Sequence, residues 1–146
     1  MDNSIDHLVC DTNDLQQGVA NVEALLGLST VPGGRHPGMG TRNALLALGP
    51  KCYLEIIGPD PDQTEFQGTR IFGIDNIKTA KLVHWCVRRD GLTDFVRQVK
   101  SLGMQMSDAI PMSRVTTQGN RLDWELAFPT SFGGESALPF FIDWGS

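Results

Sequence analysis

Nowhere in this chain do eighteen apolar residues run together, and no cluster of Lys or Arg interrupts its acidic balance. The first absence argues against a membrane-spanning helix. The opening MDNSIDHL has neither the basic nor the apolar region of a secretory leader, so the expected setting is the cytoplasm, away from membranes. The second absence, with a formal net charge of -5 and a pI near 5.0, argues against a nucleic-acid partner. Cysteine is scarce and unpaired in spacing. Cys10, Cys52 and Cys86 show no CxxC and lie in apolar runs, which reads as buried, reduced thiols. There is no GxGxxG, no GK[ST] after the GMG of the first half, and no Ser or Cys in a nucleophile-elbow setting. Dinucleotide binding, P-loop chemistry and serine-hydrolase chemistry therefore have no carrier here.

What the chain does have is length and an internal repeat. Its 146 residues suffice for one domain that buries roughly two thirds of its unfolded surface. The segment HLVCDTNDLQQGV, from His7, aligns with HWCVRRDGLTDFV, from His84, so that the two histidines and the pair Leu15 and Leu92 coincide. Each segment continues as an amphipathic helix. The first carries Leu15, Val19, Val22, Leu25 and Leu26, with Asn13 or Asp14 as N-cap and Gly27 past its end. The second carries Leu92, Phe95, Val96, Val99 and Leu102, with Gly103 past its end.

The loop VPGGRHPGMGTR then aligns with IPMSRVTTQGNR, matching Pro32 to Pro111, Arg35 to Arg114, Gly40 to Gly119 and Arg42 to Arg121. Two strands follow in each half, NALLALG and CYLEIIG in the first, LDWELAF and PFFIDWG in the second, which places Glu55 over Asp143. The longer turn PTSFGGESA in the second half is a cheap insertion, because loop closure costs only the logarithm of length. The expected fold is α+β: one domain over residues 1–146, built of two βαβββ modules (about 1–58 and 81–146) joined by residues 59–80.

Strand alternation puts Ile5, His7 and Val9 on one face and Leu8 and Cys10 on the other. It likewise groups Leu82, His84 and Cys86, then Tyr53, Glu55 and Ile57, then Phe141 and Asp143. If the first and fourth strands of each module are neighbours, His7 sits beside Glu55 and His84 beside Asp143. Two imidazoles and two carboxylates meeting across the repeat would suit a divalent transition metal such as Fe, Mn, Ni, Zn or Co. Taken singly, a strand histidine is more often a hydrogen-bonded core or edge residue and a strand-end carboxylate is usually solvated; it is the agreement of the pairs across the repeat that points to a site.

His36 has Val115 opposite it in the repeat, and that asymmetry allows a ligand-facing role or a loop-stabilising one. Thr41 and Asn43 either line a cavity or cap the turn. Arg114 is a candidate for a substrate anion and equally for a carbonyl or carboxylate of the fold. Trp85, Trp124, Trp144, Phe140 and Phe141 read as core or cavity wall, with Trp124 a candidate substrate contact.

The stretches IDHLVCDTNDL, GGRHPGMGTRN and YLEIIGPDP, with PFFIDWG near the end, resemble the vicinal oxygen chelate superfamily, and within it the glyoxalase-like domain group. The resemblance covers essentially the whole chain. It implies a U-shaped mixed sheet around a cavity, in which a metal held by His7, Glu55, His84 and Asp143 binds two adjacent substrate oxygens, with Glu55 also moving protons. It implies isomerase, lyase or dioxygenase-type chemistry on a small molecule. The group commonly carries Glu where Asp143 stands, so a three-ligand site is the variant. Some relatives only bind a small molecule without metal, which is the alternative function. A homodimer is compatible with this reading.

Overall fold

The computed structural model describes residues 3–130 and 137–145, so the inserted part of the long second-half turn lies outside the described residues. The first half runs β1 (Ile5–Asp11), α1 (Leu15–Leu26), β2 (Val31–His36), β3 (Thr41–Gly49) and β4 (Cys52–Pro59). The second runs β5 (Lys81–Arg88), α2 (Leu92–Ser101), β6 (Ile110–Thr116), β7 (Arg121–Ala127) and β8 (Phe140–Asp143). A short 3-10 segment, Ile71–Asn76, lies in the connection. This is the expected order of elements.

The strands form one mixed sheet in the order β1-β4-β3-β2-β6-β7-β8-β5. The expected U curls further, into a closed barrel, because β2 and β6 pair at Gly34 with Thr116 and Arg35 with Val115. The opposite seam is longer. There β1 and β5 run antiparallel from Ile5 against Val87 to Asp11 against Lys81, with His7 facing Cys86 and Val9 facing His84 on either side of the central pair Leu8 and Trp85. That symmetry is the sequence repeat made physical.

Alternation along the strands divides the apolar residues between two surfaces. Val9, Ile57, Cys86, Trp124, Leu126, Phe140 and Ile142 fill the barrel interior with Ile74 of the 3-10 segment. Leu8, Cys10, Leu46, Leu54 and Ile56 face outward and are covered by Leu15, Val19 and Val22 of α1. On the second half, Phe141 and Ala127 take Leu92, Phe95, Val96 and Val99 of α2. Asp14 caps α1 by accepting from the Gln17 backbone N–H at 3.1 Å, and Gly27 ends the helix in the left-handed conformation. Leu25, expected on the packed face, is 82% exposed, and the helix packs through Leu15, Val19 and Val22 instead.

One expected equivalence fails. Glu55 pairs with Val9, whereas Cys86, which stands to Val9 as His84 does to His7, pairs with Phe140. The structural counterpart of Glu55 is thus Phe140. A shift of an odd number of residues reverses a strand's faces, so Asp143 shares the outer face with Phe141 and does not enter the barrel.

Candidate functional site

The site begins at an irregularity in β1. The β1–β5 register slips between Ile5 and His7, which leaves Asp6 as the extra residue of a bulge. Bulges re-aim side chains, and here two successive residues are both buried and in contact. Asp6 Oδ1 lies 2.7 Å from His7 Nδ1, while Asp6 Oδ2 accepts from Arg88 Nε at 2.9 Å, Arg88 Nη2 at 2.6 Å and Trp144 Nε1 at 3.0 Å. Burial works to raise the Asp6 pKa, but these donors outweigh it and hold the carboxyl below its ordinary value. With Nδ1–H committed to Asp6, His7 presents Nε2 to the interior, 3.6 Å from Glu55 Oε2. The His7 ring is further fixed by stacking on Tyr53, its partner across the β1–β4 pair, at 4.7 Å between centroids.

Glu55 Oε1 in turn accepts from Asn43 Nδ2 at 2.6 Å. The same amide nitrogen lies 3.3 Å from His36 Nε2, and His36 Nδ1 lies 2.8 Å from Thr41 Oγ1. These contacts select one neutral tautomer, with Nδ1–H donating to Thr41 and Nε2 accepting from Asn43. Burial pushes the His36 pKa down, with Glu55 opposing the shift and Arg114 adding to it. His36 stays near Glu55 because the loop after β2 is pinned from outside. Gln63 Oε1 accepts from the Gly38 and Gly40 N–H groups, Gln63 Nε2 donates to the Thr41 carbonyl, and Arg70 Nε donates to the Gly40 carbonyl.

His7, His36, Thr41, Asn43 and Glu55 line a cavity of about 50 Å³ inside the barrel, together with Tyr53, Phe72, Arg114, Trp124, Phe140 and Trp144. Arg114 reaches Asn43 Oδ1 with Nη1 at 3.4 Å. The sequence match of Arg114 with Arg35 does not carry into space: Arg35 points outward and pairs with Asp60 and Asp62. Gly33 makes room for the Arg114 contact, since a Cβ there would lie 2.0 Å from Asn43 Oδ1 and 2.6 Å from Arg114 Nη1. Trp124 packs edge-on to His36 at 6.3 Å, and its indole nitrogen has no hydrogen-bond partner among the described residues. The Tyr53 hydroxyl is kept neutral, its pKa pushed well up by burial and then by the charges of Glu55 and Asp6.

Of the four residues expected to converge, the structure brings together His7 and Glu55. Asp143 instead serves α2, with Oδ2 accepting from the Gly91 and Leu92 N–H groups at 2.9 and 3.2 Å. His84 is buried on the inner face but packs against Phe72 at 5.3 Å, and the Phe72 ring in turn packs on Phe140 at 5.5 Å. Phe72 holds a φ of 65°, a strained value for a residue with a side chain, and lines the cavity where His84 does not. No group of three or more His, Cys, Asp or Glu side chains among the described residues is arranged to hold a metal. The donor set therefore does not fit the expected four-ligand centre, since an apolar ring occupies the place of its second carboxylate. The substrate candidates His36, Thr41, Asn43, Arg114 and Trp124 all line the cavity. Asp6 and Tyr53 were missed. Tyr53 had a signal in its shared face with Glu55, whereas Asp6 breaks the alternation and had none.

The sequence profile of the glyoxalase-like domain matches residues 5–146. No curated protein matches the chain. Among solved structures, a hypothetical protein from Staphylococcus aureus superposes with a TM-score of 0.74 at 18% identity over 97% of this chain, which spans 59% of that longer protein. Methylmalonyl-CoA epimerase from Mycobacterium tuberculosis gives a TM-score of 0.64 at 19% identity, covering 97% of this chain and 88% of its own. A Streptomyces coelicolor methylmalonyl-CoA epimerase variant in complex with 2-nitronate-propionyl-CoA gives 0.66 at 16% identity, covering 100% of both chains. At these identities the superpositions establish the fold. The near-complete profile match establishes the family: the chain belongs to the glyoxalase-like domain family of the vicinal oxygen chelate superfamily.

Proposed function

We propose that this protein is an acid–base enzyme of the isomerase or lyase type, acting on a small oxygen-rich molecule inside the barrel, with residues 1–146 working as one unit. The observation that carries this reading is the facing pair His7 Nε2 and Glu55 Oε2, 3.6 Å apart, with His7 oriented by the buried Asp6. A substrate oxygen or a water seated between the two atoms would lie within hydrogen-bond reach of both, which allows a proton to pass by way of it. Glu55 takes a proton from carbon beside a carbonyl, the C–H electron pair moves into the new C=C bond, and the carbonyl oxygen becomes an oxyanion. The neutral Tyr53 hydroxyl lines the same cavity and is an available donor for that charge. Glu55 returns this proton to the carbon or passes it to His7 Nε2, which delivers it to the second position, so both groups end as they began and the reaction needs no oxidant. The name epimerase, borne by two of the structural neighbours, is compatible with such a proton transfer.

The metal-dependent form of this reading has two of its four donors in place, and no step is assigned to a metal here. A rise in melting temperature with Mn, Fe, Ni, Zn or Co that His7→Ala abolishes would restore it. A second reading, a metal-free protein that sequesters a small molecule, is favoured by the apolar wall that Phe140 supplies where a carboxylate was expected. Solvent exchange separates the two. In D2O the enzyme incorporates deuterium into small 2-oxo and 2-hydroxy carbonyl compounds, and Glu55→Gln slows this by about 10² to 10⁴-fold. Binding without any Glu55-dependent exchange in such compounds would support sequestration.

A further inference from the structure

The cavity holds a cation, Arg114, that makes no ion pair among the described residues. Among the described residues that line it, Arg114 is the one permanently charged base, facing a single carboxylate-bearing side chain, Glu55. Its one hydrogen bond among the described residues is the long contact to the neutral Asn43 amide, at 3.4 Å. Two guanidinium groups near the loop show the contrast: Arg35 pairs with Asp60 and Asp62, and Arg70 pairs with Asp75. Arg114 projects inward from β6, on the face it shares with Met112 and beside Trp124 of β7.

Two further features bear on what Arg114 would hold. The cavity's volume of about 50 Å³ is on the order of four water-sized spheres, room for a compact group of a few heavy atoms. Against it lies an open surface hollow of about 520 Å³, which shares Met39, Met112, Trp124 and Trp144 with the cavity. That hollow is lined by three carboxylates, Asp123, Glu125 and Asp143, against one arginine, Arg121, which is already paired with Asp123 at 2.8 Å. Its charge opposes a polyanionic substrate tail.

From these we propose that Arg114 is the anion subsite of the cavity, and that the substrate is a small free carboxylate, not an acid carried on a phosphate-bearing group such as coenzyme A. The guanidinium fork donates two parallel hydrogen bonds to a carboxylate and places the adjacent carbon toward Glu55. Asn43, bonded to both Arg114 and Glu55, sets the separation between anion and base. The acidic hollow beside the cavity disfavours a phosphate-bearing group lying against it. The proposal deepens the acid–base reading and rests on that reading for its reacting carbon, but not for its anion.

The test uses pyruvate, its neutral analogue pyruvamide, and coenzyme A as probes, with binding followed by NMR of the Asn43 amide and Trp124 indole signals. Pyruvate is expected to bind about tenfold or more tightly than pyruvamide. That preference should vanish in Arg114→Gln and survive in part in Arg114→Lys, with both variants retaining the wild-type melting transition. Coenzyme A is expected to leave these signals unmoved. Equal affinity for pyruvate and pyruvamide, a preference that persists in Arg114→Gln, or no Arg114-dependent shift with pyruvate at its highest soluble concentration would overturn the anion subsite. Saturable shifts with coenzyme A would overturn the free-acid assignment. Glu55→Gln keeps the two proposals apart: pyruvate binding without Glu55-dependent exchange counts against the acid–base reading alone.

Discussion

Asp6 and Asp11 both lie on β1 with no exposed surface, and their surroundings drive them in opposite directions. Asp6 is surrounded by donors and held below its ordinary pKa, so its stabilising contribution is present above the usual carboxylate range and lost as pH falls through the lowered value. Asp11 has no hydrogen-bond partner for either oxygen among the described residues. Burial, and then the charge of Glu55, raises its pKa from 3.8 to about 8. Between those two values the unfolded chain binds fewer protons than the folded one, so this group makes stability fall as pH rises and exacts its full cost above about 8. Asp11→Asn should therefore stabilise the protein by an amount on the order of several kcal/mol near pH 8 and by little near pH 4, as read from urea melts at both pH values. A gain of equal size at both would show that the carboxyl does not titrate in this range.

At the scale of elements, α2 shows what a strand-end carboxylate is for. Its N-cap residue, Gly91, has no side chain to satisfy the first N–H groups, and Asp143 supplies the acceptor from β8. This ties the helix to the sheet at the point where the amide dipoles favour negative charge. Asp143→Ala is expected to cost about 1 kcal/mol, seen as a lower melting temperature, with pyruvate binding unchanged. Loss of binding without loss of stability would return Asp143 to the site. The sequence carried α1 openly and narrowed its cap to Asn13 or Asp14, of which the structure uses Asp14, and the division of Leu8 and Cys10 from His7 and Val9 was likewise legible. The place of Asp143 was not, because the inserted turn before β8 left the alignment of two short strands free to slip. Arg35 and Arg114 were misleading for a related reason: a matched pair of letters in two irregular strands does not imply a matched face.

For the whole molecule, closure depends on a short seam. β2 and β6 join the halves through two residue pairs, against six between β1 and β5. At that seam the backbones approach so closely that a Cβ on Gly34 would lie 2.1 Å from the Val115 carbonyl oxygen. Gly34→Ala should force β2 from β6, lowering stability by about 1 to 3 kcal/mol. It should also loosen the Arg114 side of the cavity before the His7 side, which hydrogen exchange would resolve as early loss of protection at residues 114–116. Uniform loss across both seams would contradict this account of the barrel.

What the sequence determined by itself was periodic: strands of period two, helices of period 3.6, the repeat that makes two modules, and the presence of His7 and Glu55 on strands that could be neighbours. These follow from local patterning, which each short segment carries in full. What only the tertiary structure decided was register. The bulge that turns Asp6 toward His7, the slip that sets Phe140 where a carboxylate was expected, and the pairing of β2 with β6 are each chosen by contacts between residues distant in the chain. Because strand side chains alternate, one residue more or less in a register moves a side chain from the cavity to the outer face, and no local pattern records that choice.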